Sequence, residues 1–239
     1  MQAAVAGGER RKKIWRGSSV IHVIHQRRTN LGFPNQSVRA IIVLVTMAQN
    51  LPAILHSRNG TSLEIRPLTA GEIPALARFN AGLSTETRSV FLPHAYDEAT
   101  LARCVERSAA GLDRTYVLGF GAEVVGYFFL WEFDQAVPLL GLGLADAWQG
   151  RGLGEPMLRR LIDDARAAGR DGVELTTVTT NARAFRLYRR AGFELVGEVD
   201  NIAGDGRVVR EYRMFLALQP GARPPERESS AASPRRAAP

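Results

Sequence analysis

With 239 residues, 45% of them apolar, the chain can hold one domain with extensions and a real core. Its one cysteine, Cys104, excludes internal disulfides and Cys-x-x-Cys zinc sites and suits a reducing, cytoplasmic setting. The net charge of +7 sits at the ends: residues 1–60 carry nine Arg/Lys against Glu9 (+8) and residues 217–239 add +2, which leaves −3 for residues 61–216 and argues against nucleic-acid binding by the folded part.

Residues 1–60 read as a basic N-terminal extension, poorly ordered or a misassigned start. Arg10 to Lys13 is a basic cluster, and the apolar run Ala40 to Val45 is far shorter than the ~20 residues of a membrane span. That run also lies too far behind Lys13 for a secretory signal, so no membrane partner is expected. His22 and His25 have no further ligands near them in sequence, and no metal is expected. Met47, shortly before the domain, is expected to be the true initiator.

The domain is expected over residues 61–217. Ser62 to Pro67 alternates apolar and polar residues and reads as a strand. Thr69-Ala-Gly-Glu72 has the form of a capping box and predicts a helix with Leu76, Phe79 and Leu83 inward. Ser84 predicts the N-cap of a short helix ending before Pro93, and Asp97 caps a third carrying Leu101 and Val105. Tyr116 to Phe120 and Val124 to Phe133 read as a hairpin around Gly121-Ala-Glu123, followed by a strand at Pro138 to Leu144. A helix over roughly Gly152 to Ala168, with Leu158, Leu161, Ile162 and Ala165 inward, leads to a strand at Val173 to Val178. Asn181 and Gly192 bound a short helix with Ala184, Tyr188 and Ala191 on one face. Strands Phe193 to Val199 and Val208 to Leu216 close the domain around Gly204-Asp-Gly206. Residues 218–239, rich in Pro, Ala, Ser, Arg and Glu, are expected to be a disordered tail.

Two stretches carry chemistry. Ala145-Asp-Ala-Trp-Gln-Gly-Arg-Gly-Leu-Gly154 places three glycines between an apolar strand and a helix N-terminus. Such a turn points N–H groups and the positive end of the helix dipole at an anion, and glycine lets a phosphate approach the backbone. The spacing fits neither a P-loop nor a dinucleotide fingerprint. The second stretch is Asn181-Ala-Arg-Ala-Phe-Arg-Leu-Tyr188-Arg-Arg-Ala-Gly192-Phe193.

Gln149-x-x-Gly152-x-Gly154 resembles the acetyl-coenzyme A loop of the GNAT superfamily of N-acetyltransferases, and Asn181 to Phe193 resembles a second motif of that family at every position. The resemblance implies an α/β fold, a mixed, mostly antiparallel sheet with a splayed strand pair and flanking helices. It implies acetyl-CoA as acyl donor, held by the turn from Gln149 through Gly150, Arg151, Gly152, Leu153 and Gly154, with Asn181 contributing. The pantetheine arm would lie along Leu142, Gly143 and Leu144, and Tyr188 would be the acid that protonates the leaving thiolate. Gly141 and Gly143 signal either close backbone approach or a bulge, or simple twist relief. The implied reaction is direct attack by a primary amine of a small molecule, a protein N-terminus or a lysine, by a monomer or homodimer. Many relatives carry a glutamate on the strand before the loop, where this chain has none; Glu132, Asp134, His94 or a water chain are the candidates for base. A coenzyme A-binding sensor and a transferase of longer acyl groups are the alternatives.

Overall fold

The computed structural model describes residues 53–226. The Arg10–Lys13 cluster, His22, His25, the Ala40–Val45 run, Met47 and the last thirteen residues lie outside the described residues.

Eight strands form one sheet in the order β1-β2-β3-β4-β5-β6-β8-β7. In chain order the elements are β1 (Ala53–His56), β2 (Ser62–Pro67), α1 (Ile73–Ala81), α2 (Thr85–Val90), α3 (Glu98–Ala109), β3 (Arg114–Phe120), β4 (Glu123–Trp131) and β5 (Leu139–Leu144). Then come α4 (Gly154–Ala167), β6 (Gly172–Val178), α5 (Ala182–Arg190), β7 (Glu194–Ile202) and β8 (Val208–Ala217). Of these strand pairs only β5 and β6 run parallel, because α4 carries the chain across between them. The expected fold class is present: a mixed, mostly antiparallel sheet with flanking helices and one splayed pair.

The local signals act as their chemistry dictates. Ser84 accepts a hydrogen bond from Thr87 N–H, Asp97 from Thr100 N–H and Asn181 from Ala184 N–H, each capping the helix that follows. The capping box at Thr69 does not form. Thr69 makes no side-chain cap, Ala70–Glu72 is a 3₁₀ turn, and the Glu72 carboxylate accepts from Arg66 at 2.7 and 3.2 Å instead. A charged partner across β2 outcompetes the neutral backbone donor. Strand β1 lies within the stretch read as N-terminal extension; it pairs antiparallel with β2 from Ala53↔Ile65 to His56↔Ser62.

Both faces of the sheet are covered. One core joins Phe128, Leu130, Leu140 and Leu175 to Met157, Leu158, Leu161 and Ile162 of α4. The other joins Tyr127, Phe129 and Trp131 to Leu76 and Phe79 of α1 and Leu101 of α3. Burial of each large apolar side chain contributes about 1.5–3 kcal/mol, so the two layers hold the centre of the sheet rigid. The site described next is built at that centre.

Candidate functional site

The turn between β5 and α4 is shaped by its glycines. Gly150 and Gly152 have φ of +78° and +83°, the left-handed region that favours glycine. Gly154 sits so close to α5 that a Cβ would stand 3.2 Å from Leu187 Cδ2. The Leu153 side chain is buried in the core and pins the turn. Among the described residues, the N–H groups of Gly152, Leu153, Gly154 and Glu155 donate to no backbone carbonyl, and α4 has no side-chain cap. Four donors therefore point outward at the positive end of a 14-residue helix, a geometry that suits a phosphate group.

Side chains brace this turn from three directions. Gln149 donates through Nε2 to Thr87 Oγ1 (2.9 Å) and to the Leu144 carbonyl (3.2 Å), and accepts from Arg183 Nη1 (3.2 Å). It thereby joins α2, the end of β5 and α5. The Arg151 guanidinium stacks 4.7 Å over Trp148, which packs on Phe120. The Arg151 carbonyl accepts from Arg58 N–H at 2.8 Å, and the Arg58 side chain lies 2.9 Å from where a Gly152 Cβ would stand. Arg58 belongs to the β1–β2 turn, so a segment read as extension in fact buttresses the turn and brings a cation to it.

Asp146 adds a further clamp that has no signal in the sequence. Its carboxylate accepts from Ser84 N–H (2.9 Å), Ser84 Oγ (2.6 Å) and Thr87 Oγ1 (2.6 Å), tying α2 to the turn. These bonds, from the Ser84 hydroxyl first, hold its pKa down at about 2. A carboxyl with a lowered folded-state pKa stabilises the fold above its unfolded value, about 3.9, and that contribution is lost as pH falls towards 2. Asp146→Asn is expected to cost about 1 kcal/mol at pH 7. Thermal denaturation of both proteins from pH 7 to pH 2 checks this: the difference should shrink below pH 4 and vanish near pH 2.

Strands β5 and β6 part after two residue pairs, Leu139↔Glu174 and Leu140↔Leu175. Ala145 N–H donates to the Val125 carbonyl on the β4 side. Strand alternation then turns the main chain of Gly143 towards β4, and that of Leu142 and Leu144 towards the open wedge. The β4–β5 register is unbroken, so Gly141 and Gly143 mark no bulge. Aromatic rings cross the strand there: a Cβ on Gly141 would stand 2.3 Å from Phe129 Cζ, and one on Gly143 2.3 Å from Phe91 Cδ1. The rings fill the space that a side chain would need, which accounts for both glycines.

The wedge opens into a cleft of about 490 Å³. Gly141 and Leu142 of β5, Thr176 to Val178 of β6, Asn181 and Tyr188 line it, as does the Arg88–Pro93 segment. Tyr188 is 5% exposed and reaches the cleft from α5, its ring edge-on to Phe193. Burial, and then the charge of Glu211, push its phenol above the ordinary value, so it stays protonated at neutral pH. Among the described residues its hydroxyl makes no hydrogen bond.

The candidate bases separate cleanly. His94 is 2% exposed, with Nδ1 2.6 Å from the Ala95 carbonyl and Nε2 3.1 Å from Tyr127 Oη; burial lowers its pKa, and it is part of an aromatic core beside Tyr96 and Trp131. Asp134 is exposed and bound to Gln135, away from the cleft lining. Glu132 lines the cleft, as do Glu174 and Glu211, which sequence reading passed over. Both lie in strands whose alternation could have placed them on the face opposite Leu175 and Met214.

Residues 79–193 match the acetyltransferase (GNAT) family. That part of the chain belongs to the family. The GNAT match runs from the last residues of α1 to just past α5, which includes the turn, the wedge and Tyr188. Among curated relatives, the chain is 37% identical over 81 residues to N-alpha-acetyltransferase RimI of Mycobacterium tuberculosis, covering 32% of this chain and 49% of that one. The chain thus spans about half the length of that relative. It is 24% identical over 161 residues to L-amino acid N-acetyltransferase AaaT of Escherichia coli, covering 64% and 97% of the two chains. In fold it is similar to yncA of Salmonella typhimurium, solved with acetyl-CoA, with a TM-score of 0.54 and 23% identity over 69% of this chain and 99% of that one.

Proposed function

We propose that this GNAT protein is an N-acetyltransferase that moves an acetyl group from acetyl-CoA to a primary amine by direct attack. One observation carries the reading: the parted strands β5 and β6 open a cleft lined by the buried, protonated phenol of Tyr188, and β5 leads on to a turn of free N–H donors. The donor groups fit the substrate in order. Gly150 to Gly154 would hold the pyrophosphate, braced by Gln149, with Arg151 beside it. The main chain of Leu142 and Leu144 would bond the pantetheine arm, while Gly143 between them lets the Phe91 ring pack on the strand. Asn181 fixes the start of α5, and Tyr188 would protonate the departing thiolate. Its similarity to RimI and AaaT, an N-alpha- and an L-amino acid N-acetyltransferase, supports the amine of an amino acid or of a protein N-terminus as acceptor. A cytoplasmic setting is part of the proposal, supported by the single, buried thiol of Cys104. No helix among the described residues is long and apolar enough to cross a membrane.

A non-catalytic sensor would have no use for a proton donor at the end of the wedge, and the position of Tyr188 favours turnover. Thiol release from acetyl-CoA by the full chain, with and without an amine panel, tests the reading. Amine-dependent release is expected; acetyl-CoA binding without release for any amine would overturn it.

Arg58 gives a further expected result. Its guanidinium is the cation that the β1–β2 turn brings to the phosphate turn. Arg58→Ala is expected to raise the acetyl-CoA dissociation constant about tenfold, the value of one charge-assisted hydrogen bond, with kcat little changed. Isothermal titration of both proteins at two salt concentrations checks this, since the contribution of an exposed cation should shrink as salt rises.

A further inference from the structure

We infer that Glu211 is the general base that receives the acceptor's ammonium group and takes its proton. The inference rests on the acetyltransferase reading and supplies the acid that the strand before the turn lacks.

Three carboxylates line the cleft, and their surroundings differ. Glu174 is 1% exposed and bound by both arms of Arg213, Nε at 3.0 Å and Nη2 at 2.7 Å, so its charge is already neutralised. Glu132 follows Trp131, which pairs with Leu139 at the closed end of the wedge. Glu211 stands opposite Val178, at the open end of β6 and three residues before Asn181. Strand alternation puts Glu174, Thr176 and Val178 of β6 on the same face as Val209, Glu211 and Arg213 of β8, and all six line the cleft. Tyr188 enters that space from α5, and the charge of Glu211 acts on its phenol. Asn201 of β7 donates to Glu211 Oε2 at 2.6 Å and fixes the carboxylate, while among the described residues Oε1 accepts no hydrogen bond. Three cations line the cleft: Arg107 is held by Asp113, Arg213 by Glu174, and Arg88 is the third. An oriented carboxylate, open on one oxygen and lining the same cleft as a protonated phenol, is the acid–base pair that amine acetylation requires.

The step balances. Glu211 takes one proton from the ammonium, and the freed nitrogen pair attacks the thioester carbon. The C–N bond forms and the C–S bond breaks with its electron pair on sulfur, which takes the Tyr188 proton. The second nitrogen proton returns to the Tyr188 phenolate, and Glu211 releases its proton to water. The products are the amide, free coenzyme A and one proton.

The test uses the full chain as wild type, Glu211→Gln and Glu211→Asp. The acceptor panel is the twenty L-amino acids, spermidine and short peptides with free N-termini. Glu211→Gln keeps an acceptor for Asn201, so the fold should persist. At pH 7 its kcat/KM for the amine should fall about 10²–10⁴-fold while acetyl-CoA affinity is unchanged. The deficit should shrink as pH rises and the amine arrives already neutral, and Glu211→Asp should recover part of the rate. Without any substrate, ultraviolet titration against a Tyr188→Phe control should show the phenol ionising at lower pH in Glu211→Gln. Wild-type rates in Glu211→Gln, or a deficit constant across pH, would overturn the assignment. Failure of the wild type itself to acetylate any amine would overturn the acetyltransferase reading and this assignment with it.

Discussion

Tyr188→Phe is expected to lower kcat for amine acetylation by about 10²–10⁴-fold and to leave acetyl-CoA binding nearly unchanged. The substitution removes one hydroxyl that makes no hydrogen bond among the described residues, so no buried partner is orphaned. The ring stays wedged against Phe193, and the packing of α5 should survive. What is lost is a proton held at neutral pH by burial and by the nearby Glu211 charge. Pre-steady-state thiol release separates the outcomes. A slowed chemical step with unchanged donor affinity supports the acid role. Equal losses in donor affinity and rate would mean that Tyr188 only shapes the wedge.

Gly152→Val is expected to abolish acetyl-CoA binding. Its φ of +83° is closed to a β-branched residue, and its Cβ would collide with Arg58 Cγ at 2.9 Å. Either the turn rotates its N–H groups away or Arg58 leaves; both dismantle the phosphate site. In the wild type, acetyl-CoA at about 100 times its dissociation constant should add about 2.7 kcal/mol of stability, roughly 5–10 °C in Tm. That shift should disappear in Gly152→Val. Gly206→Val is the matched control: φ is +84° in the β7–β8 turn, with nothing within 4 Å of its Cβ. It should lose similar intrinsic stability yet keep the ligand shift. Loss of the shift in both variants would assign the effect to the fold rather than to the turn.

Local chemistry was legible because its causes are local. Ser84, Asp97 and Asn181 cap the helices they precede, since a side-chain oxygen reaches an N–H three residues on. The glycine turn could be read for the same reason: positive φ at Gly150 and Gly152 is a property of the residue type and its two neighbours. Where a long-range partner existed, local reading failed. Glu72 takes Arg66 rather than Thr69. Strand β1, four residues long, lacks a pattern of its own and exists because β2 offers it an edge.

The sequence by itself determined the order of elements from β2 onwards, the caps at Ser84, Asp97 and Asn181, the glycine turn and the presence of a tyrosine one helix beyond it. Only the tertiary structure decided which distant residues meet at the turn and in the cleft. Asp146 meets Ser84 and Thr87 across sixty residues, and Arg58 meets Gly152 across ninety-four. Glu211 shares the cleft with Tyr188 because β8 inserts between β6 and β7, an order that the chain alone does not announce. The physical reason is the range of the forces. Capping and φ preferences act within a few residues, whereas strand pairing and burial of side chains choose partners only when the whole sheet closes.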